Sequence, residues 1–516
     1  MSQQADQFKK LVSHCKEYGF IFPSSEIYDG LSAVYDYGPY GAELKNNIKS
    51  YWWKSMVQMH ENIVGLDCAI FMHPLTWKAS GHVDAFNDPL IDNKDSKKRY
   101  RADQLIEGHL EKIEEKMNKE VEKALKRFGD SFDEAMYRQT NPRVLEYQQQ
   151  YDAILDRFTK ATAAGDMAEL KAIIDDLEIA DPETGSRNWT EVRQFNLMFS
   201  TQLGNIAGED GKLYLRPETA QGIFVNFLNV HKTTRQKIPF GIAQIGKAFR
   251  NEIVARQFIF RMREFEQMEM QFFLRPGEEM KWYEYWKEAR MKWHLALGTP
   301  AEKLRFKDHD NLAHYANAAV DIQFDFPFGF KELEGIHSRT DFDLSSHQEL
   351  SGKKMQYFDS ELNENYVPYV VETSVGCDRM FLSLMSQALQ EESVPDAKGE
   401  DATRTVLRLH PALAPVKCAV LPLLKNKEEL TSKAREVFDS LKHSFLCQYD
   451  EKDAIGRRYR RQDAIGTPFC VTIDFDTLQD DTVTIRERDS MQQERVHISK
   501  IEAMVRERTD MSVLFK

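Results

Sequence analysis

Apolar and polar residues alternate over residues 249–270, a pattern that predicts a β-hairpin whose loop spans 253–260. Side chains two residues apart share one face of a strand. One face of the second strand is apolar and suits a core: Met262, Met268 and Met270. The opposite face is charged and aromatic: Arg261, Arg263, Phe265 and Glu269. On the first strand, Arg250 and Glu252 share a face in the same way. The hairpin therefore predicts a nucleotide-binding surface, with guanidinium groups for phosphates, a ring for a base and carboxylates for amines.

A second element follows much later in the chain. Residues 366–374 predict a buried strand, and Gly376 ends it before a helix that starts near Cys377. The apolar residues of that helix recur with a helical period: Met380, Phe381, Leu384, Met385, Ala388 and Leu389. Arg379 would then lie in the first helical turn, where free amides and the helix dipole favour anions. Glu372 and Ser374 share a strand face just before it.

The remaining patterns divide the chain into segments. A helix over 41–57 and a strand reaching Pro74 are predicted near the N-terminus. Residues 104–190 are rich in Glu, Lys, Ala and Gln, which predicts a helical insertion. Residues 396–412 carry charge and proline without an apolar period, which predicts a linker. Strands and helices alternate over 413–516, which indicates a separate α/β domain containing a basic loop at 457–461.

Composition narrows the class of protein. The chain has 516 residues, of which 42% are hydrophobic and 29% charged, and these values are typical of a globular protein. We expect a cytoplasmic protein without a membrane segment, because no apolar stretch is long enough and the polar start is not a signal peptide. The six cysteines form no CxxC pair, so reduced thiols are expected. The net charge of −13 argues against indiscriminate nucleic-acid binding but leaves room for an RNA held by local basic patches.

The hairpin and the strand–helix element resemble motifs 2 and 3 of the class II aminoacyl-tRNA synthetases. Within that class, the chain is similar to the dimeric glycyl-tRNA synthetases from about residue 7 to its end, apart from one insertion. Further matching segments occur in the family's order: 22–28 (FPSSEIY), 35–39 (YDYGP), 80–82 (SGH), 215–222 (LRPETAQG) and 332–335 (ELEG).

The resemblance implies a fold of three parts. The first is an α+β catalytic domain with a mainly antiparallel sheet, formed by residues 1–103 and 191–395. The others are the helical insertion at 104–190 and, after the linker at 396–412, an α/β anticodon-binding domain at 413–516. The insertion either contacts the acceptor end of an RNA or simply presents solvated helix faces. A homodimer is implied through a region resembling motif 1, around 41–74.

The implied activity is that of a glycine–tRNA ligase, which uses ATP with Mg²⁺ and has glycine and tRNA(Gly) as substrates. Arg250 would hold the α-phosphate and Arg379 the γ-phosphate, with Glu252 at the adenine amino group and Phe265 on the ring. The full set of implied ATP contacts is Arg250, Asn251, Glu252, Phe260, Arg261, Arg263, Phe265, Glu332, Leu333, Gly376 and Arg379. Glu332 matches a carboxylate close to magnesium, and on a regular strand Glu334 shares its face, so either can serve.

The implied glycine contacts are Arg101, Glu218, Phe265, Glu269, Glu372 and Ser374. One ammonium cannot neutralise three clustered carboxylates. We therefore expect at least one of Glu218, Glu269 and Glu372 to have a raised pKa or to pair with an arginine. Arg101 is the candidate for that arginine, or for a contact to the substrate carboxylate, or it is a surface residue.

Relatives often carry a CxxC pair where this chain has Asn93 and Ser96, so we expect no zinc there. For the anticodon we expect Arg457, Arg458, Tyr459 and Arg460 to stack on splayed bases.

Two alternatives stay open: another class II synthetase, such as a prolyl or threonyl enzyme, and a binding protein that has kept the fold but lost catalysis. The phosphate-binding arginines favour an active enzyme.

Overall fold

The computed structural model describes residues 3–129, 132–204, 211–252, 257–309, 312–313, 315–395 and 401–515. The chain forms two compact units. The first comprises Met1–Ser80, Phe199–Arg250 and Ala255–Lys516, and the second comprises Gly81–Met198 and Asn251–Val254. Among the residues described, no helix has the length and apolar character needed to cross a membrane.

The helices and strands are labelled in chain order. The α-helices described are α1 (Gln3–Glu17), α2 (Pro39–Trp53), α3 (Pro74–Ala79), α4 (His82–Ala85), α5 (Ala102–Phe128), α6 (Glu134–Thr140), α7 (Pro142–Ala164), α8 (Met167–Asp176), α9 (Ala220–Thr234), α10 (Glu279–Ala296), α11 (Phe342–Ser351), α12 (Cys377–Ala388), α13 (Glu428–Leu441), α14 (Ile455–Ile465), α15 (Thr477–Asp480) and α16 (Ile501–Thr509). The strands described are β1 (Ile21–Pro23), β2 (Tyr35–Tyr37), β3 (Ile63–Gly65), β4 (Asn87–Asp92), β5 (Arg99–Arg101), β6 (Arg193–Asn196), β7 (Ser200–Gln202), β8 (Lys212–Tyr214), β9 (Phe240–Phe249), β10 (Glu264–Leu274), β11 (Leu304–Asp308), β12 (Ala318–Phe326), β13 (Gly329–Thr340), β14 (Tyr357–Asp359), β15 (Glu364–Tyr366), β16 (Tyr369–Gly376), β17 (Leu389–Pro395), β18 (Asp401–Leu407), β19 (Cys418–Pro422), β20 (Cys447–Tyr449), β21 (Phe469–Ile473), β22 (Thr482–Glu487) and β23 (Gln493–His497).

The first unit is built on a seven-stranded sheet with the order β11-β12-β13-β16-β10-β9-β3, antiparallel except for the β3–β9 pair. Alternate residues of β10 pack on its two sides. Met268 and Met270 belong to the main core, together with residues of α2, α10 and α12. Phe273 belongs to a second core with residues of α9 and α11. The predicted methionine face is therefore confirmed, and the charged face of β10 lies on the side of α9.

The N-terminal part differs from its prediction at Pro74. Helix α2 continues as a π-helical turn over Lys54–Gln58, close to the helix predicted at 41–57. The following strand, β3, has only three residues and ends at Gly65. Pro74 does not end a strand; it is the first residue of α3. A proline is favoured there because the first helical N–H has no intrahelical partner.

The second unit combines a small sheet of order β5-β4-β6 with helices α4 to α8. The buried residues of α5 recur every three or four positions: Ala102, Leu105, Ile106, Leu110, Ile113, Met117, Val121 and Ala124. The helical character predicted for 104–190 is present, but the compact unit is wider, since it starts at Gly81 and includes the three strands. The sequence signal marked only the helices because the strands have an ordinary composition.

Residues 401–407, which fall within the predicted linker, form strand β18 and pair with β17 from Leu389↔Leu407 onwards. Residues 396–400 of the predicted linker lie outside the described residues, and two arginines from the rest of it form ion pairs. Arg404 is buried with its Nε 2.9 Å from Asp463 Oδ2. Arg408 Nη2 lies 2.9 Å from Glu392 Oε2.

The last hundred or so residues form the expected α/β fold. Its sheet has the order β20-β19-β21-β22-β23, in which β19 is parallel to β20 and to β21 and the other pairs are antiparallel. Apolar residues of α13 and α16 cover this sheet, among them Leu430, Val437 and Val505.

Candidate active site

The predicted hairpin exists as β9 and β10, paired from Phe249↔Glu264 onwards. Arg250 lies just beyond the end of β9. The prediction that it shares a strand face with Glu252 is therefore wrong. Its guanidinium is held by Pro217, whose carbonyl oxygen is 3.0 Å from Arg250 Nε, and lies 5.3 Å from the centre of the Phe265 ring. A cation and an aromatic face are thus presented side by side.

The other predicted ATP residues of the hairpin precede β10. Phe260 ends a 3-10 helix and is buried, with its ring 5.2 Å from that of Phe326. Arg261 is half-buried. The Arg263 backbone N–H donates to Ala33 O at 2.9 Å, and Arg250 N donates to Arg263 O at 2.9 Å. Arg250 and Arg263, which flank the hairpin loop, are therefore fixed by backbone hydrogen bonds.

Arg379 lies in the first turn of α12, which starts right after Gly376 as predicted. Its guanidinium packs 4.4 Å from the centre of the Phe260 ring, and its Nη1 is 3.0 Å from Glu332 Oε2. The charge of Arg379 lowers the pKa of Glu332, with smaller contributions from His337 and Arg250. A carboxylate and two arginines therefore act on one another at the end of the hairpin.

Glu332 and Glu334 do not share a face, contrary to the expectation for a regular strand. The register of β12 against β13 jumps from Ile322↔Glu334 to Gln323↔Glu332, which leaves Leu333 as the extra residue of a β-bulge. Glu334 is fully buried on the far side, with Oε1 2.5 Å from Arg290 Nε and Oε2 2.7 Å from His294 Nε2. Leu333, a predicted ATP contact, places its side chain in the main core. Only Glu332 is left on the side of the arginines.

Two of the three predicted acids form a buried pair. Glu269 on β10 and Glu372 on β16 both accept hydrogen bonds of 2.7 Å from the side-chain amide of Gln271. Thr219 donates its hydroxyl to Glu269. Burial, together with the charge of Glu372, raises the pKa of Glu269 well above its ordinary value. Of the three clustered acids, Glu269 is therefore one with the raised pKa that was expected for at least one of them.

Glu372 is held ionised by two residues that the sequence reasoning missed. Burial alone would raise its pKa, but the charge of Arg339 and a hydrogen bond from His337 hold it well below its usual value. Arg339 Nη1 is 3.3 Å from both carboxylate oxygens, and His337 Nδ1 is 2.6 Å from Oε2. Arg339 is fixed in turn by Asp343, through contacts of 2.8 and 3.0 Å. His337 and Arg339 lie two residues apart on β13, and this spacing was the sequence signal that could have identified them.

Two further residues predicted to contact the substrate glycine, Glu218 and Ser374, lie close to this pair. Glu218 lies just before α9 and accepts a 3.0 Å hydrogen bond from Gln221 Nε2. Ser374 is paired with Glu269 in the β10–β16 register. Its hydroxyl oxygen is 3.5 Å from Gln267 Nε2. Glu218, Glu269, Glu372 and Ser374 thus come from neighbouring elements of the same unit.

Three predicted residues belong to the second unit. Arg101 forms ion pairs there with Asp88 at 2.9 Å and Asp103 at 2.6 Å. The arginine that neutralises Glu372 is therefore Arg339 and not Arg101. Asn251 N donates to Leu197 O at 2.8 Å. Burial lowers the pKa of Arg101, but Asp103 and Asp88 together raise it more strongly, and Glu252 adds a small further increase.

The basic run at 457–461 is helical, because it lies within α14. Arg458 is buried, with its guanidinium nitrogens 2.5 to 3.2 Å from the carbonyl oxygens of Pro422, Asp450 and Leu423. Tyr459 bonds Thr472 at 2.5 Å and lies under Arg486. Arg458 and Tyr459 thus support the domain from inside and do not form the stacking surface predicted for them. Arg457 and Arg460 are exposed.

Comparison with known proteins identifies the domains of this chain. The chain matches the family model of the tRNA synthetase class II core domain (G, H, P, S and T) over residues 204–388. Glycyl-tRNA synthetase insertion domain 1 matches residues 88–197, and the anticodon binding domain matches 417–508. The fold is that of a class II aminoacyl-tRNA synthetase.

Similar proteins identify the family within this class. The glycine–tRNA ligase of Chlorobaculum tepidum is 54% identical, covering 94% of this chain and 96% of its own length. Those of Geobacillus thermodenitrificans and Staphylococcus haemolyticus are each 49% identical, covering 95% and 94% of this chain and 95% of their own lengths. The chain belongs to the glycyl-tRNA synthetase family.

Proposed function

We propose that the protein is a glycine–tRNA ligase, which activates glycine with ATP and transfers it to the 3′ end of tRNA(Gly). The observation that carries this proposal is the buried Glu269–Glu372 pair, because it lies in the same sheet as the element ends bearing Arg250 and Arg379. An ammonium-binding pair of acids next to phosphate-binding arginines fits an amino acid beside a nucleoside triphosphate.

In the first step, an oxygen of the glycine carboxylate attacks the α-phosphorus, and the bond from that phosphorus to the pyrophosphate oxygen breaks. The carboxylate is already ionised near neutral pH, so no general base is required. Catalysis then consists of aligning the groups and stabilising the developing charge. We assign Arg250 to the α-phosphate and Arg379 to the γ-phosphate, since guanidinium stays charged and matches phosphate oxygens.

The adenine moiety is assigned to the hairpin. Phe265 offers a ring face next to the guanidinium of Arg250. Glu252 is assigned to the adenine amino group, and Arg261 or Arg263 to the terminal phosphates. Phe260 acts indirectly, because its ring holds Arg379 in place.

Magnesium is assigned to Glu332. The bulge at Leu333 turns Glu334 away from the site, and the charge of Arg379 keeps Glu332 ionised by lowering its pKa. An ionised carboxylate beside phosphate oxygens suits Mg²⁺, which takes one or two carboxylates and completes its shell with phosphates and water. The bound ion would neutralise phosphate charge during the transfer.

Glycine selectivity is assigned to the acids. Glu372 provides the fixed negative charge for the ammonium, and Glu218, Glu269 and Ser374 complete the pocket. An apolar pocket distinguishes one methylene by only about 1–3 kcal/mol. Carboxyl groups in the space that a substrate Cβ would occupy disfavour alanine further, because its methyl group would overlap with them and desolvate them.

In the second step, a hydroxyl of the terminal ribose of tRNA attacks the carbonyl carbon of the adenylate, and AMP leaves. The C-terminal α/β domain is assigned to the anticodon, with Arg457 and Arg460 as its exposed candidates. We further propose a cytoplasmic homodimer that associates through the region around 41–74.

The test is ATP–pyrophosphate exchange with glycine, alanine and serine as separate substrates. We expect exchange with glycine alone, and transfer of labelled glycine to tRNA(Gly) in the full reaction. Exchange driven by another amino acid, or none with any of them, would contradict the proposal.

A further inference from the structure

A cluster of two histidines and one aspartate lies beside the acidic pair, and the reaction described above uses only the hydrogen bond from its His337 to Glu372. It consists of His309, Asp321 and His337, whose potential ligand atoms all lie within 4.8 Å of one another. His309 follows β11 and is held by a 3.1 Å backbone hydrogen bond to Ala319 O. Asp321 and His337 lie on the paired strands β12 and β13. The cluster therefore rests on the central sheet.

Two features leave room at the centre of this cluster. Gly335 is the register partner of Asp321, and a Cβ on it would come within 3.1 Å of His337 Nε2 and 3.8 Å of Asp321 Oδ1. The missing side chain thus opens space next to two potential ligand atoms. The His309 side chain is 34% exposed, so water reaches the cluster.

The hydrogen bonding of His337 prepares it as a metal ligand. Its Nδ1 is 2.6 Å from Glu372 Oε2, so the proton of the neutral ring belongs on Nδ1. Nε2 then carries a lone pair, and it is this atom that lies beside Gly335. A carboxylate that orients a histidine in this manner is the usual outer partner of a metal-bound imidazole.

We propose that His309, Asp321 and His337 bind a divalent transition metal ion of the zinc type, with water in the remaining position. Two imidazoles and one carboxylate match the ligand preferences of such ions, whereas Mg²⁺ and Ca²⁺ prefer oxygen ligands. A tetrahedral ion holds ligand atoms about 3.4 Å apart. Small side-chain rotations therefore bring the cluster to that geometry, and the ion takes the place of the contact between His309 Nε2 and Asp321 Oδ1, now 2.9 Å.

The site would regulate the proposed glycine pocket, and this part rests on the proposed function. A bound ion fixes the hydrogen bond from His337 to Glu372 and adds positive charge near the acid assigned to the ammonium. Both effects oppose the binding of a second cation. The metal is therefore an inhibitor competitive with glycine.

Metal binding is tested first, without any substrate. Apo protein is titrated with Co²⁺, whose visible absorption reports the ligand set, in the presence of excess Mg²⁺. The wild type is expected to bind one Co²⁺, and His309→Ala and Gly335→Ala are expected to bind none. Gly335→Ala keeps all three ligands, but its Cβ would fill the space beside His337 Nε2. His443→Ala, which removes an exposed histidine elsewhere, is the matched control and keeps the site. Equal Co²⁺ binding by the wild type and His309→Ala would overturn the site.

The coupling is tested by glycine-dependent exchange with and without Zn²⁺ at constant excess Mg²⁺. We expect Zn²⁺ to raise KM for glycine about fivefold in the wild type. It should leave KM for glycine unchanged in His309→Ala. An unaltered KM for glycine in the metal-loaded wild type would overturn the coupling. Because the Co²⁺ spectrum needs no activity, a failure of glycine activation would leave the result on metal binding intact.

Discussion

Glu269 and Glu372 accept 2.7 Å hydrogen bonds from one and the same amide, that of Gln271, yet their pKa values shift in opposite directions. Burial and its neighbour's charge raise the pKa of Glu269. For Glu372, the charge of Arg339 and the hydrogen bond from His337 outweigh burial. A proton on the pair is therefore favoured at Glu269, and Glu372 favours its charged form.

This asymmetry predicts the pH dependence of glycine binding. Glu269 is protonated below its raised pKa, and a bound ammonium favours its ionised form, so binding releases a proton. KM for glycine should therefore fall as pH rises toward that pKa and level off above it. The measurement is KM for glycine in the exchange assay between about pH 6 and 9. Glu269→Gln should flatten the profile, and a wild-type KM that does not change with pH would refute the assignment.

Removing the charge of Glu372 should impair glycine activation. A hydrogen bond to a charged group contributes roughly 1.5–3 kcal/mol, so kcat/KM for glycine in Glu372→Gln should fall about tenfold to a hundredfold. KM for ATP should change little. Glu364→Gln, an exposed substitution in β15, is the control. Normal exchange by Glu372→Gln would remove this residue from the pocket.

The β-bulge at Leu333 predicts different effects for two neighbouring glutamates. Glu334→Gln breaks a buried ion pair with Arg290, a change that typically costs about 3–5 kcal/mol of folding free energy. Glu332→Gln should leave Tm nearly unchanged but raise the Mg²⁺ concentration needed for half-maximal exchange. Thermal unfolding and Mg²⁺ titration of both variants check this. The reverse assignment of the two effects would show that Glu334 faces the nucleotide.

The arginines of the basic helix α14 should likewise differ in whether they affect tRNA charging or stability. Arg457→Ala combined with Arg460→Ala should reduce tRNA charging and leave glycine-dependent exchange intact, because both side chains are exposed. Arg458→Ala should lower Tm, since three backbone carbonyls lose their partner. Equal loss of charging and exchange in the double variant would contradict the division of labour between the domains.

Point variants are preferable to deleting the C-terminal domain. Ile465 and Leu514 belong to the same core cluster as Trp286 and Phe381 of the catalytic part. Phe515 stacks on Tyr51 with ring centres 5.5 Å apart. Truncation would therefore expose the catalytic core and confuse a loss of folding with a loss of tRNA binding.

Local periodicity was enough to predict the parts of the site that lie on regular elements. The alternation along β10 separated Met268 from Glu269, and the helical period after Gly376 located Arg379 at the start of α12. Both signals come from residues close together in the chain. The expectation that one of the clustered acids has a raised pKa or an arginine partner also followed from charge alone.

Other features depended on contacts between distant residues. The bulge that separates Glu332 from Glu334 is set by pairing with β12. The pairing of Glu372 with Arg339 arises only when β13 lies beside β16. Helix α14 was predicted as a loop because its buried face is polar, with Arg458, Gln462 and Asp463 in place of an apolar period.

The most direct test of the central claim is a structure of the protein with a non-hydrolysable analogue of glycyl-adenylate. We predict its amino group within hydrogen-bonding distance of Glu372 and Glu269, and its adenine against the ring of Phe265. The bridging group should lie at Arg250. An analogue bound with its amino group away from these acids would contradict the account.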